Sequence, residues 1–155
     1  MHTNISSFRT AICIFYLWSL LACTSASAAN FQDVCKTGTP QQVKAMIDSG
    51  ADVNAKDERG CTPLMFAAEY NSNADMIEAL IKAGADLHAK DQLGHTPLMY
   101  AAMLNHNPKV IAVLFKAGAD VNAQDKNGKT ALDYARQNNN AKALEALTNV
   151  GTQGK

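Results

Sequence analysis

From residue 31 onward the apolar positions fall in short groups at spacings of three and four, separated by polar stretches that contain glycine. Leu64, Ala67 and Ala68 put one apolar and two small groups on one helical face. Small groups there let a neighbouring helix approach closely. Met76, Ile77, Leu80 and Ile81 form the inner face of a second helix, and Val110, Ile111, Leu114 and Phe115 form its counterpart further on. Thr62, Thr96 and Thr130 stand as helix N-caps, and Pro63 and Pro97 sit at the first helical position, where a missing N–H costs nothing. Gly50, Gly84 and Gly118 follow the second helices, at the left-handed position that glycine adopts cheaply. Asp57–Gly60, Asp91–Gly94 and Asp125–Gly128 read as turns between short extended arms. The unit is therefore helix, loop, helix, hairpin.

These units recur in register. Gly50-Ala51-Asp52-Val53-Asn54-Ala55-Lys56-Asp57 returns from Gly84 and again from Gly118, each time 34 residues later. Thr62-Pro63-Leu64-Met65-Phe66-Ala67-Ala68 returns from Thr96 at the same step, and Thr130-Ala131-Leu132-Asp133-Tyr134-Ala135 is a worn third copy. Two blocks held in phase over three copies exclude chance.

The motifs resemble the ankyrin repeat, whose pattern runs Gly-x-Thr-Pro-Leu-His, then Ala-Ala, then Gly-Ala-Asp-Val-Asn. The resemblance covers roughly Phe31 to Leu147 and implies an all-α repeat solenoid, a stack of about four repeats, each a helix-loop-helix with a hairpin or turn. The units fall at about 30–57, 58–91, 92–125 and 126–150, followed by a polar tail at 151–155. The first unit lacks the Thr-Pro-Leu start. The last carries Gln137 and Asn138-Asn139-Asn140, the polar character a terminal unit needs where one face meets water. The family's histidine, which ties neighbouring turns together, is replaced by Met65, Met99 and Asp133. Apolar packing is expected to replace that tie, with Asp133 capping its own helix through Thr130. Units two and three exceed the family's usual period by one residue, which alignment places in the loops around Asn71–Asn73 and Asn105–Asn107, as surface insertions.

Residues 1–29 stand apart. A polar start with one cation, Arg9, precedes the apolar run Ala11–Ala22 and then a small-residue stretch. This is the layout of a secretory signal, and a twelve-residue run falls short of the ~20 a bilayer span requires. Ala26-Ser27-Ala28 fits a cleavage site, with cleavage after Ala28 or Ala29 leaving Asn30 as a helix cap. Leu20-Leu21-Ala22-Cys23 also resembles the bacterial lipobox, although Leu21 departs from the small residue usual there. On that reading Cys23 is lipidated and the chain is membrane-attached; otherwise no membrane contact is expected. The expected location is the periplasm, with lipid anchoring or secretion as alternatives.

The formal charge is zero, and the two signs are interspersed beyond the leader, so nothing in it points to nucleic acid as a partner. Cys35 takes the place of a small buried alanine, and Cys61 is expected as an exposed hairpin residue. Their placement about two helical turns apart within the repeat argues against a disulfide between them. His88 stands where sister units carry asparagine, while His95 and His106 fall on a hairpin and in an inserted loop. None has metal-ligand spacing. No phosphate loop or nucleophile elbow occurs. Neither a cofactor, nor a small-molecule substrate, nor catalysis is expected, and the chain is expected to be a monomer.

What the resemblance implies is binding to another protein through hairpin tips and the outer side of the first helices. Carried onto this chain, that surface comprises Glu58, Arg59, Glu69 and Tyr70 in unit two, with Cys61 beside them. Unit three adds Gln92, Leu93, His95, Met103 and Leu104, and unit four adds Lys126, Asn127 and Lys129, with Gln137 and Asn138 beyond them. Leu93, Met103, Leu104 and Tyr70 are out of place on a solvated face and mark unit three as the expected centre of contact, rimmed by Lys126 and Lys129. Phe66, Tyr100 and Tyr134 share one phase of the repeat and read as structural. The leading function is an exported interaction module or scaffold in the cell envelope. The alternatives are a secreted effector binding a host protein and a thiol-dependent enzyme using Cys61.

Overall fold

The computed structural model describes residues 31–153. The signal-like leader, including Cys23, Ala28, Ala29 and the cap at Asn30, lies outside the described residues. Eight helices are present among those described. They are α1 (31–37), α2 (Pro40–Asp48), α3 (Pro63–Tyr70), α4 (Ala74–Lys82), α5 (Pro97–Leu104), α6 (Pro108–Lys116), α7 (Ala131–Gln137) and α8 (Ala141–Gln153). No strand is present among the described residues, so the connecting arms are turns and irregular chain. The last helix passes residue 150 and takes in Gly151, so the stretch expected as a tail from 151 is helical as far as Gln153. Buried Ala143 and Leu147 anchor its inner face.

The helices form two layers. In one, α3 packs on α5 and α5 on α7; in the other, α2, α4, α6 and α8 pack in succession, and α3 meets α4, α5 meets α6 and α7 meets α8 within their units. The core runs through the stack along Leu64, Ile77, Leu80, Leu98, Ile111 and Leu114, all fully buried. Burying each such side chain contributes about 1.5–3 kcal/mol. Ala67, Ala68, Ala101, Ala102 and Ala135 are buried with them and carry too little bulk to hold the first helices apart.

Capping follows the sequence reading with one exception. Thr96 and Thr130 accept from the backbone N–H of Met99 and Asp133, and Thr39 forms a reciprocal cap with Gln42 that starts α2, the second helix of the truncated first unit. The Thr62 hydroxyl is buried and has no partner. The residues replacing the family histidine cap their own helices: the Met65 and Met99 sulfurs accept the N–H groups of Thr62 and Thr96 at 3.4 and 3.5 Å, and Asp133 Oδ2 accepts that of Thr130 at 2.9 Å.

The tie between units differs from the expectation of apolar packing alone. Asn71 and Asn105 open their inter-helix loops, Asn140 closes the one before α8, and all three are buried. Asn71 Nδ2 donates to the carbonyls of Cys35 and Gly38, Asn105 Nδ2 to those of Ala68 and Asn71, and Asn140 Nδ2 to those of Ala102 and Asn105. Each amide satisfies two carbonyls of the preceding unit, so the inserted loops begin with a buried ladder, not with free surface.

Candidate protein-binding face

Each Asp-x-x-Gly turn is built around its aspartate. Asp91 Oδ1 accepts the N–H groups of Leu93 and His95, both at 2.8 Å, and Asp125 Oδ1 accepts those of Asn127 and Lys129 at the same distance. Asp57 repeats this with Arg59 and Cys61. A carboxylate that satisfies two orphan donors fixes a tight turn whose tip points outward. The tips are bonded to one another. The Gln92 N–H donates to the Arg59 carbonyl at 2.9 Å, and the Lys126 N–H to the Leu93 carbonyl at 3.0 Å. Gln92 Nε2 donates to the Glu58 carbonyl at 2.7 Å. Glu58, Arg59, Gln92, Leu93, Lys126 and Asn127 therefore form one continuous exposed row.

Leu93 is 58% exposed at the middle of that row, and Tyr70 and Leu104 are 56% and 51% exposed at the last residues of α3 and α5. Tyr70 and Leu104 occupy the same repeat position. Leu93 precedes α5 in the turn and Leu104 ends it, so the whole helix, about 12 Å long, stands between them. The apolar surface is thus two spots, one at the tips and one at the helix ends, and not a single cluster. Glu69 and Lys129 are half-buried. Lys129 Nζ donates to Gln137 Oε1 at 2.8 Å and lies 5.5 Å from the Tyr134 ring centre.

Three residues expected on the surface lie inside. Met103 is partly buried against the core. Cys61 is 1% exposed, beneath the next unit, with Sγ 3.3 Å from the Tyr100 hydroxyl. Burial raises its thiol above the ordinary range, which is the reverse of what a thiolate nucleophile needs. Cys35 is buried as expected, and its thiol is pushed up to about 12 by desolvation; both cysteines are free. The His95 side chain is only 12% exposed, wedged edge-on between the rings of Tyr100 and Tyr134.

The burials of Cys61 and His95 share one cause. Tyr100 and Tyr134 each reach from their helix to the second oxygen of the aspartate nine residues earlier: Tyr100 to Asp91 Oδ2 at 2.9 Å, and Tyr134 to Asp125 Oδ2 at 2.6 Å. Each ring thereby covers the base of the preceding unit's turn, where Cys61 and His95 sit. The Tyr134 hydrogen bond, assisted by the Lys129 and Asn127 N–H groups, holds Asp125 down to about 2. Burial and the aspartate push the Tyr134 hydroxyl up to about 12. In the second unit Phe66 has no hydroxyl, and Asp57 Oδ2 is met instead by Arg59 Nε at 3.3 Å. The phase shared by the three aromatics was visible in the sequence, but their aspartate partners were not inferred from it. The recurring nine-residue Asp-to-Tyr spacing was the signal available.

Among the described residues no group of three or more His, Cys, Asp and Glu side chains is arranged to hold a metal ion. Asp91 and Asp125 are occupied by protein donors on both oxygens. What the arrangement offers is a rigid row of polar tips with an apolar centre, a surface suited to another protein.

A comparison with curated proteins finds no match to the chain. The family described as ankyrin repeats (3 copies) matches residues 31–125 and 84–154. The two matches together span most of the sequence and coincide with the helix pairs and bonded turns described above, so the chain belongs to the ankyrin-repeat family and is a protein–protein interaction module.

Proposed function

We propose that this protein is an exported ankyrin module that works in the cell envelope as a non-catalytic binder of one partner protein. The exposure of Leu93, Tyr70 and Leu104 on an otherwise polar face carries the reading. Leu93 at the tips and the pair Tyr70 and Leu104 at the helix ends are two exposed apolar spots, and clustered exposed apolar groups mark interaction sites. The leader supplies the export half of the proposal, by cleavage after Ala28 or Ala29 or by lipidation at Cys23. Binding centres on unit three, with Arg59 and Glu58 on one side of Leu93 and Lys126 on the other. His95 and Cys61 support the tips from beneath, and Met103 packs against the core at the other end of α5. Catalysis through Cys61 has no support from its burial or from its raised thiol.

Affinity capture from envelope extract with the mature chain tests the reading. The double variant Leu93→Ser with Leu104→Ser should lose the captured protein while keeping the wild-type melting temperature. Equal capture by both forms would sink the proposal. A partner recovered only from host material would favour the effector reading. The mass of the mature chain separates signal cleavage from lipidation.

A further inference from the structure

The turn of unit three and that of unit four meet at one side chain whose hydrogen bonds can be counted proton by proton. His95 Nδ1 lies 3.0 Å from Asp91 Oδ2. His95 Nε2 lies 2.9 Å from the Tyr134 hydroxyl and 3.6 Å from Asp125 Oδ2.

Asp125 is ionised, because Oδ1 receives two backbone N–H groups and the carboxyl is held down to about 2. Tyr134 has one hydroxyl proton, and at 2.6 Å from that carboxylate it must be donated there, since two acceptors would otherwise be pressed together. The Tyr134 oxygen can therefore only accept from His95 Nε2, which must carry a proton. Asp91 is likewise ionised. Burial pushes it up, but the His95 N–H and the Tyr100 hydroxyl outweigh burial and hold it below the usual carboxylate range. Its Oδ2 can only accept, so Nδ1 must carry a proton as well. The Tyr100 proton goes to Asp91 at 2.9 Å, which leaves its oxygen free to accept from the Cys61 thiol.

We infer that His95 is held in the folded chain as a doubly protonated imidazolium, bracketed by Asp91 and Asp125, and that its second proton clamps the third unit to the fourth. The groups facing it are Asp91 and Asp125 from the turns, Tyr100 from α5 and Tyr134 from α7. Lys129 Nζ lies 5.5 Å from the centre of the Tyr134 ring, and the Cys61 thiol meets the Tyr100 hydroxyl. Two carboxylates and one imidazolium leave the cluster one negative charge in excess; with a neutral ring the excess would be two, with an acceptor turned onto an acceptor. Loss of the proton as the pH rises thus sets Nδ1 or Nε2 against an unshared lone pair and loosens the contact beneath Leu93 and Lys126. The inference rests on the hydrogen-bond geometry together with the ionised state of the two aspartates, and does not depend on which partner the surface binds.

Nitrogen-15 ring spectra of the full mature chain at neutral pH provide the test, with His95 assigned by loss of its signals in His95→Gln. Both ring nitrogens are expected at the positions of protonated nitrogen. One protonated and one bare nitrogen would overturn the inference. Asp91→Asn keeps an acceptor for the turn N–H groups but turns a donor toward Nδ1, so its His95 should keep only the Nε2 proton; a ring still doubly protonated there also overturns it. The clamp has its own readout. The stability gap between wild type and His95→Gln should narrow over the pH range in which the ring signals lose their second proton, and a gap that does not move would overturn the clamp.

Discussion

The side-chain amide of Asn105 donates to the main-chain carbonyl of Asn71, its own repeat position one unit earlier, at 3.0 Å, and to that of Ala68 at 2.8 Å. Both carbonyls are left over at the end of α3, where no further helical turn can use them. Truncating Asn105 to Ala strands them in a buried place, and each buried unsatisfied group costs about 1–3 kcal/mol. Asn105→Ala should therefore lower unfolding stability by about 2 kcal/mol or more in a urea titration. Asn105→Asp, which keeps the shape and removes the donor, should cost at least as much. A loss below about 0.5 kcal/mol in the alanine variant, the range of an ordinary surface change, would show that the ladder does not hold the units together.

The repeat was legible because its period is local: caps, prolines, glycines and the apolar face recur every 34 residues and need no tertiary knowledge. The ladder was hidden by the same logic. Asn71 and Asn105 were read as part of a surface insertion, since asparagine near a helix end usually marks a turn. Their burial depends on the preceding unit folding over them. Cys61 and His95 were misplaced for a related reason. Cys61 meets Tyr100 and His95 meets Tyr134, each 39 residues on in the chain, and only the folded next unit brings those rings over them. The tips Glu58, Arg59, Leu93 and Lys126 are exposed, as their hairpin positions imply, because no later element covers them.

Acid should weaken the stack at its last turn. Asp125 has an ordinary value of 3.8 and is held at about 2 in the fold, first by the Tyr134 hydroxyl. A depressed carboxyl contributes stability that is complete above its unfolded value and is lost as the pH falls through its folded one. Asp91, held low in the same direction, adds to the effect. The wild-type melting temperature should therefore drop between pH 3.8 and about 2, and the drop should be smaller in Asp125→Asn. Equal acid sensitivity in the two proteins would remove Asp125 as the cause.

Thr62 and Thr96 look alike in sequence and should not behave alike. Thr96 Oγ1 accepts the Met99 N–H at 3.4 Å, whereas Thr62 Oγ1 is buried without a partner. Exchange of threonine for valine keeps the shape and removes the hydroxyl. At Thr96 it should cost about 1 kcal/mol, the usual value of an N-cap. At Thr62 it should be neutral or slightly stabilising, because an unsatisfied hydroxyl is removed from the core. Chemical denaturation of both single variants decides this, and equal losses would mean that the Thr62 hydroxyl is bonded in solution.

Gly94 and Gly118 both have a positive φ, +89° and +103°, so an L-residue at either costs about 1–2 kcal/mol in backbone strain. They differ in what surrounds them. A Cβ on Gly118 meets nothing within 4 Å, whereas one on Gly94 would lie 2.9 Å from the Lys126 nitrogen and 3.1 Å from Asp125 Cα. Those are main-chain atoms of the next turn and cannot swing aside as a side chain would. Gly94→Ala must push the turns of units three and four apart, stretching the bond from the Lys126 N–H to the Leu93 carbonyl and the contacts around His95. The expected result is a clearly larger fall in melting temperature for Gly94→Ala than for Gly118→Ala, with faster amide exchange at Lys126 in the first variant only. Matching losses would mean that strain at φ accounts for both and that the close approach of the two turns adds nothing.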